Sequence, residues 1–200
     1  MISESLGAKY HEAIRRQRRD AIDASKAFEA ACRSGDVEHF REAVKWLHDT
    51  CGGWKRAMMR ATKLDAVADD IRAAFLIVWI ESKYIRQEVG NRRILADALR
   101  RLLPRAAAGA PTVLYRGASW MERVRRIYGI SWTSRLDIAR RFAEQWTQPG
   151  VVTYGGVILK TAAPAEAILL TREDENYFDE GEVIVDPFFL GNVEVVERLR

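Results

Sequence analysis

Two acidic residues separated by one glycine, Glu180-Gly181-Glu182, stand where a short apolar run typical of a β-strand begins. Side chains at positions i and i+2 of a strand project from the same face. The spacing therefore predicts that Glu180 and Glu182 point into one space. Paired carboxylates aimed at one place are typical of a reaction centre. The alternative is a solvated pair at the edge of a sheet.

Two further motifs precede the acidic pair in the chain. Arg116 follows an apolar run and precedes Gly117, and its planar guanidinium offers a fork of donors that suits phosphate oxygens. Farther on, Ser131-Trp132-Thr133-Ser134 carries three hydroxyl groups directly before a helical segment. Ser134 also has a structural interpretation, because an N-cap serine contributes about 1 kcal/mol of stability without any catalytic duty.

The elements that position these motifs follow from the periodicity after Pro111. Short runs rich in β-branched and aromatic residues predict strands, and a capping-box-like start at Ser134 predicts one firm helix. The predicted strands, besides one at the hydroxyl motif, cover residues 112–115, 151–154, 157–160, 167–170, 182–185 and 193–197. The second half is therefore predicted to be α+β.

The first half has a different period. From residue 5 to about residue 103 the apolar residues recur with helical spacing, which predicts a helical lobe. Asp36 is expected to cap a helix that Gly52-Gly53 closes, and a long helix is expected over residues 64–89. The Ala/Gly/Pro-rich residues 105–111 form the predicted connector. We therefore expect two domains, a helical lobe over residues 1–105 and a second domain over residues 106–200.

Charge is distributed unevenly over the 200 residues. Residues 1–105 carry 21 Lys and Arg against 15 Asp and Glu, whereas residues 106–200 carry 11 against 13. The basic excess leaves open a contact with nucleic acid or an acidic protein, although a solvated helix face has the same composition. The basic cluster consists of Arg15, Arg16, Arg18 and Arg19.

The location of the protein is predicted from what the chain lacks. Its longest apolar run, residues 73–80, is too short to span a bilayer, and its start lacks the pattern of a signal peptide. Two cysteines, Cys32 and Cys51, favour a reducing compartment over a disulfide framework. No Cys or His spacing typical of a metal site is present. We therefore expect a cytoplasmic protein without a membrane contact.

In chain order, the second half presents a strand with Arg116, a strand with residues 131–134, a helix with Ala139-Arg140-Arg141-Phe142-Ala143 and an acidic strand with residues 180–182. In this order the motifs resemble the mono-ADP-ribosyltransferases of the Arg–Ser–Glu clade, a family of bacterial toxins, phage enzymes and vertebrate ectoenzymes. The resemblance covers roughly residues 112–200 and implies an ADP-ribosyltransferase-like mixed β core with flanking helices. The helical half lies outside it.

The resemblance implies that NAD is the substrate and that ADP-ribose passes to a macromolecular acceptor. Breaking the nicotinamide–ribose bond goes through an oxocarbenium-like ion. By resemblance, Glu182 stabilises this ion and hydrogen-bonds the ribose 2′-hydroxyl, while Arg116, beside Gly117, binds the diphosphate. Glu180 would orient and deprotonate an incoming guanidinium, which favours protein arginine as the acceptor.

The hydroxyl motif departs from the family's Ser-Thr-Ser. Thr133 and Ser134 match its second and third positions, and Trp132 stands at the first. Either Ser131 takes the first serine's role through a small register change, or Trp132 stacks on the ligand while Thr133 makes the hydrogen bond. Ser131, Thr133 and Ser134 are thus the candidates for the nicotinamide-ribose pocket.

Other functions remain open at this point. An NAD glycohydrolase would use water in place of the acceptor. A non-catalytic module would bind nucleic acid or an acidic protein through the basic helical half. An enzyme fold without activity is the third alternative, because of Trp132. The His–Tyr–Glu branch of the superfamily is excluded for the second half, since all three histidines lie in the first.

Overall fold

The structure of the chain is a computed structural model that describes residues 2–82, 84–104, 112–148, 155–171 and 181–200, with side chains from residue 10 onward. The predicted connector 105–111, the predicted strand 151–154 and Glu180 lie outside the described residues. The chain divides into two compact units, Met1–Pro104 and Arg105–Arg200. We call them unit 1 and unit 2.

Unit 1 is helical in the residues that the structure describes. Its helices are α1 (Ile2–Ser34), α2 (Val37–His48), α3 (Gly53–Ala61), α4 (Asp69–Glu81), α5 (Ile85–Val89) and α6 (Arg92–Leu102). Phe28 packs against Phe40 and Trp54, with ring centroids 5.4 and 5.9 Å away. These three fully buried aromatic rings join α1, α2 and α3 into one core.

The predicted cap of α2 is confirmed. Asp36 has extended backbone angles, and its carboxylate accepts a hydrogen bond of 3.0 Å from the His39 backbone N–H. That bond satisfies one of the amide groups that the first turn of a helix leaves without a partner. The same bond lowers the pKa of the Asp36 carboxyl below its ordinary value. An ionised aspartate also suits the positive end of the helix dipole.

Two predicted helix boundaries in unit 1 are wrong. Helix α2 ends at His48, and Gly52, at φ 76°, precedes α3 and does not close α2. The long helix predicted over residues 64–89 begins only at Asp69. It is also divided in two, because Ser82 at the end of α4 adopts an extended conformation with ψ 92°. The first error comes from taking the glycine pair as the end of the preceding helix, whereas Gly52 stands at the start of the next one. The second comes from apolar residues that continue with helical spacing across a break in the backbone.

Unit 2 is built around one antiparallel sheet. The described strands are β1 (Thr112–Ser119), β2 (Ser131–Thr133), β3 (Gly156–Ala163), β4 (Ile168–Thr171), β5 (Glu182–Val185) and β6 (Val193–Leu199). Their order in the sheet is β4-β5-β2-β1-β3-β6, with every pair antiparallel. The described part of the chain therefore combines helices with a six-stranded antiparallel sheet, as an α+β class requires.

Helices α7 (Trp120–Arg125) and α8 (Leu136–Glu144) accompany the sheet, with 3-10 turns at Gln145–Thr147 and Ala165–Ala167. One face of the sheet holds the main core cluster of unit 2, which includes Leu114, Trp132 and Val183. A second cluster contains Ala139 and Ala143 of α8. No helix in the described part of the chain combines the length and the apolar composition that a membrane crossing requires.

Candidate active site

The side chains of strand β2 point alternately to the two faces of the sheet. Trp132 is only 2% exposed and belongs to the main core cluster of unit 2. Its indole N–H donates a hydrogen bond of 3.0 Å to the Gly129 carbonyl. Because side chains alternate along a strand, Ser131 and Thr133 project from the opposite face. Trp132 is thus a core residue, and it does not offer its ring for stacking on a ligand.

Glu182 lies on the same face of the sheet as Ser131 and Thr133 of β2. It opens β5 and lies opposite Thr133 in the register of the two strands, so that both side chains share one face. The Ser131 hydroxyl donates a hydrogen bond of 2.7 Å to Glu182 Oε1. Of the alternatives left open by the hydroxyl motif, this geometry favours the one in which Ser131 takes the first serine's place, beside Glu182.

Arg116 lies where strands β1 and β2 separate. In the described part of the sheet the two strands share one register pair, Tyr115 with Thr133. Directly beyond it, Arg116 Nη1 donates a hydrogen bond of 2.7 Å to the Ser131 carbonyl. Its Nε and Nη2 donate to the carboxylate of Glu122 in α7 over 3.1 to 3.2 Å. Arg116 and Glu182 are therefore both bonded to Ser131.

Gly117 has a packing role next to Arg116. A Cβ atom at this position would lie 2.1 Å from the Ala139 carbonyl oxygen and 2.4 Å from the Ala143 backbone nitrogen of α8. Those distances are far inside van der Waals contact, so helix α8 can approach β1 only over a glycine. The predicted cofactor-binding role of Gly117 stays a prediction.

The other two residues of the hydroxyl motif, Thr133 and Ser134, both take part in hydrogen bonds that involve the backbone. Thr133 is buried, and its Oγ1 accepts a hydrogen bond of 3.0 Å from the Arg135 N–H. The prediction that Ser134 caps the next helix is wrong, because Arg135 occupies the N-cap position of α8 without a side-chain cap. Ser134 is exposed, and its N–H donates to the Gly181 carbonyl over 3.4 Å. The capping-box pattern is off by one residue.

Gly181, between the two acidic residues, is not in an extended conformation. The strand begins at Glu182, and Gly181 has φ 53°, in the left-handed region that glycine tolerates. The rule that residues i and i+2 share a face requires an extended residue between them. It therefore does not relate Glu180 to Glu182 here. Glu180 itself lies outside the described residues, and its role stays a prediction.

Two residues that the sequence did not single out complete the arrangement. Glu122 is the carboxylate partner of Arg116, and both side chains are 20% exposed. Gly129 provides the room for the guanidinium, because a Cβ there would lie 2.4 Å from Arg116 Nη2. The spacing of Ser119 and Glu122 matches a helix start, and Ser119 Oγ does accept from the Glu122 N–H. That signal locates Glu122 but does not reveal its partner.

Two other reactive groups of the described chain, Arg135 and Cys32, are paired or buried. Arg135, beside Thr133, pairs with Asp137 over 3.0 Å and lowers the pKa of that exposed carboxyl. In unit 1, burial raises the pKa of the Cys32 thiol to about 12, so that its thiolate is scarce at neutral pH.

An open concavity of about 550 Å³ lies along α1, and its described lining is Glu12, Arg15, Arg18, Arg19 and Ile22.

The chemistry of the arrangement suits a ligand with a ribose and a phosphate group. A carboxylate held by a serine hydroxyl can face positive charge that develops on a sugar ring. A guanidinium tied to the same serine can donate to phosphate oxygens. Comparison of the chain with protein-family models, with curated proteins and with solved structures found no significant match.

Proposed function

We propose that the protein is an NAD-dependent mono-ADP-ribosyltransferase whose catalytic domain is unit 2, with an ADP-ribosyltransferase-like fold. One observation carries the proposal. Arg116, Ser131 and Glu182, which come from three strands, form a continuous hydrogen-bonded chain through the carbonyl and the hydroxyl of Ser131. The family that the sequence resembles has an arginine, a serine and a glutamate in this order, and Ser131 is one of the two alternatives for the first serine. The connection of Arg116, Ser131 and Glu182 supports a common role.

The proposed reaction begins with cleavage of the bond between C1′ of the ribose and the nicotinamide nitrogen. The bonding electrons leave with nicotinamide, and positive charge develops on the ribose ring. The Glu182 carboxylate stabilises that charge, and the Ser131 hydroxyl holds the carboxylate in one orientation. Arg116 holds the diphosphate, which keeps the ribose beside Glu182.

The acceptor in this proposal is a guanidinium of a target protein. One of its nitrogens forms the new bond to C1′, and a proton must leave that nitrogen. A guanidinium has a very high pKa and is therefore protonated at neutral pH, and without an available lone pair it is a poor nucleophile. Glu180, two residues before Glu182, takes the proton in this scheme. When water replaces the guanidinium, the same site acts as an NAD glycohydrolase.

Substitution of the two acids separates the steps. Glu182→Gln keeps the size of the side chain and removes its charge, so nicotinamide release should fall by about 100-fold or more while NAD binding persists. Glu180→Gln should instead leave slow hydrolysis of NAD intact and lower the transfer of ADP-ribose to a polyarginine acceptor. Both activities can be measured side by side with labelled NAD.

Glu194→Gln is the matched control, since Glu194 is an exposed glutamate on strand β6 of the same sheet. It should change neither activity. Near wild-type nicotinamide release by Glu182→Gln would show that Glu182 is not the catalytic carboxylate. Equal loss of both activities in Glu180→Gln would assign Glu180 to the ribose or to the fold.

A second candidate function rests on α1. Arg15, Arg16, Arg18 and Arg19 are exposed, and none has a carboxylate partner among the side chains that the structure describes. Other arginines of unit 1 do have one: Arg33 and Arg60 both pair with Glu29. Unpaired arginines on one helical segment are suited to phosphates or other polyanions. Binding of a nucleic acid through unit 1 is thus the second candidate.

A further inference from the structure

Glu122 holds Arg116 by one edge of its guanidinium. Arg116 Nε lies 3.2 Å from Glu122 Oε2, and Arg116 Nη2 lies 3.2 and 3.1 Å from the two carboxylate oxygens. Both side chains are 20% exposed, so water screens the pair only in part. A carboxylate that is bound to two nitrogens of one guanidinium restricts both the position and the rotation of that guanidinium.

Two further contacts fix the guanidinium. Nη1 donates to the Ser131 carbonyl over 2.7 Å. Gly129 lies against the same group, because a Cβ atom on Gly129 would be 2.4 Å from Nη2 and 2.6 Å from Cζ. Arg116 is therefore held from helix α7, from strand β2 and from the segment between them.

Helix α7, which carries Glu122, is itself anchored. Its first residue, Trp120, donates its backbone N–H to the Gly155 carbonyl over 2.9 Å. The Trp120 ring also lies under the Arg198 guanidinium, 4.0 Å from ring centroid to Cζ. Near the end of the helix, Arg123 Nη1 donates to the Tyr128 hydroxyl over 3.3 Å. The Glu122 carboxylate is thus attached to a fixed element.

The donors of Arg116 then divide into two sets. A guanidinium has five N–H groups. Within the described residues, the N–H on Nε and the neighbouring N–H on Nη2, which lies near both carboxylate oxygens, go to Glu122, and one N–H on Nη1 goes to Ser131. One N–H on each terminal nitrogen is left, and these two can donate to an anionic ligand.

We propose that Glu122 is a positioning residue that sets Arg116 to receive the diphosphate of NAD through these two remaining N–H groups. The inference rests on the proposed function, and it adds a residue to the same site. Glu122 is not displaced when the diphosphate binds, because removal would leave a partly buried carboxylate without its partner. The pair also brings the local charge close to neutral, so that orientation and not attraction alone selects the ligand.

Glu122→Gln tests this role, because glutamine keeps the shape and loses the charge. We expect NAD to bind about tenfold more weakly, as for the loss of a charge-assisted hydrogen bond. KM should rise by that factor, with kcat within about twofold, because the diphosphate is held equally before and during bond cleavage. In an NMR spectrum, the Arg116 Nε–H should exchange slowly in the wild type and rapidly in the variant.

Glu197→Gln is the matched control, since Glu197 also pairs with an arginine of unit 2, Arg140, over 2.6 Å. It should not change NAD affinity. Gly129→Ala approaches Arg116 from the other side and should weaken NAD binding in the same way. Thermal unfolding shows whether Glu122→Gln and Gly129→Ala are folded like the wild type. A lower NAD affinity in these folded variants supports the inference.

Three results would overturn the inference. Tighter NAD binding by Glu122→Gln would show that Glu122 competes with the diphosphate. Unchanged affinity would leave Glu122 a purely structural role. If the wild type neither binds nor cleaves NAD, the proposed function fails. The role of Glu122 is then tested by itself, from the affinity for inorganic pyrophosphate and from the exchange rate of the Arg116 Nε–H in the wild type and in Glu122→Gln. Equal affinity of the wild type and of Glu122→Gln for pyrophosphate would also overturn the inference.

Discussion

Strand alternation assigns different roles to three adjacent residues. Trp132 is buried in the core, Ser131 donates to Glu182, and Thr133 accepts a bond from the Arg135 backbone. The three follow one another in β2, so a shift of one position would exchange the core residue and the site residues. The depth of Trp132 in the core opposes that shift. A large aromatic side chain thus keeps Ser131 beside the carboxylate.

Ser131→Ala should lower nicotinamide release more than Ser134→Ala does. Loss of the Ser131 hydroxyl removes the 2.7 Å bond that orients Glu182, and we expect kcat to fall about tenfold. Ser134 is exposed, and its structural bond uses the backbone N–H, so its hydroxyl should be dispensable. Kinetics of both variants, at saturating NAD, measure the difference.

The opposite result would be a larger loss of nicotinamide release in Ser134→Ala than in Ser131→Ala. A larger loss of kcat in Ser134→Ala would support the original alignment of Thr133 and Ser134 with the family's hydroxyl motif. In that case the bond between Ser131 and Glu182 would be only structural.

At the level of elements, helix α8 lies unusually close to the sheet. Two glycines make this possible, because Cβ atoms at Gly117 of β1 and Gly156 of β3 would each lie 2.1 Å from a carbonyl oxygen of α8. The contact fixes the part of β1 that carries Arg116. The position of the site's arginine therefore depends on the absence of a side chain at the next residue.

Gly117→Ala should destabilise unit 2. The added methyl group meets backbone atoms of α8, which cannot rotate away, and overpacking of this kind costs about 1 to 3 kcal/mol. Gly191→Ala is the control, because a Cβ there meets nothing within 4 Å. Urea unfolding of the two variants compares the free energies of unfolding. Equal stability would show that α8 moves away from β1 without cost.

At the level of the whole molecule, the two units carry different groups. The hydrogen-bonded chain from Glu122 to Glu182 lies in unit 2. The cluster Arg15, Arg16, Arg18 and Arg19, which has no carboxylate partner among the described side chains, lies in unit 1. The proposed binding of a polyanion and the proposed cleavage of NAD are therefore expected to be separable. The charge difference between the two halves of the sequence points to the same division.

Replacement of Arg15, Arg16, Arg18 and Arg19 by glutamine together should abolish salt-sensitive binding to a double-stranded DNA probe. Each lost phosphate contact should reduce the slope of log affinity against log salt by about 0.9. Nicotinamide release should stay within about twofold of the wild type, since none of the four belongs to the site in unit 2.

A variant with Arg33 and Arg41 replaced by glutamine serves as the comparison, because both pair with carboxylates on their own helices. It should bind the probe like the wild type. Absence of DNA binding by the wild type would remove nucleic acid as the partner of α1. Binding to an acidic polypeptide instead would assign α1 to an acidic protein.

Much of the local structure was determined by the sequence alone. The helical spacing of residues 21–31, the cap at Asp36 and the strand over residues 182–185 all appear in the structure. These features depend on neighbours within a few positions, for which periodicity and cap chemistry are sufficient. The break after α4 was missed for the same reason, because the apolar spacing alone does not show that Ser82 turns extended.

Only the tertiary structure decided which hydroxyl meets Glu182, which carboxylate holds Arg116 and why residue 117 is glycine. Ser131 and Glu182 are 51 positions apart, and their contact depends on the register between β2 and β5. The sequence contained several serines and carboxylates of suitable type, and nothing local distinguished among them. Strand register and the close approach of α8 made the choice, because both are set by packing between segments that are distant in the chain.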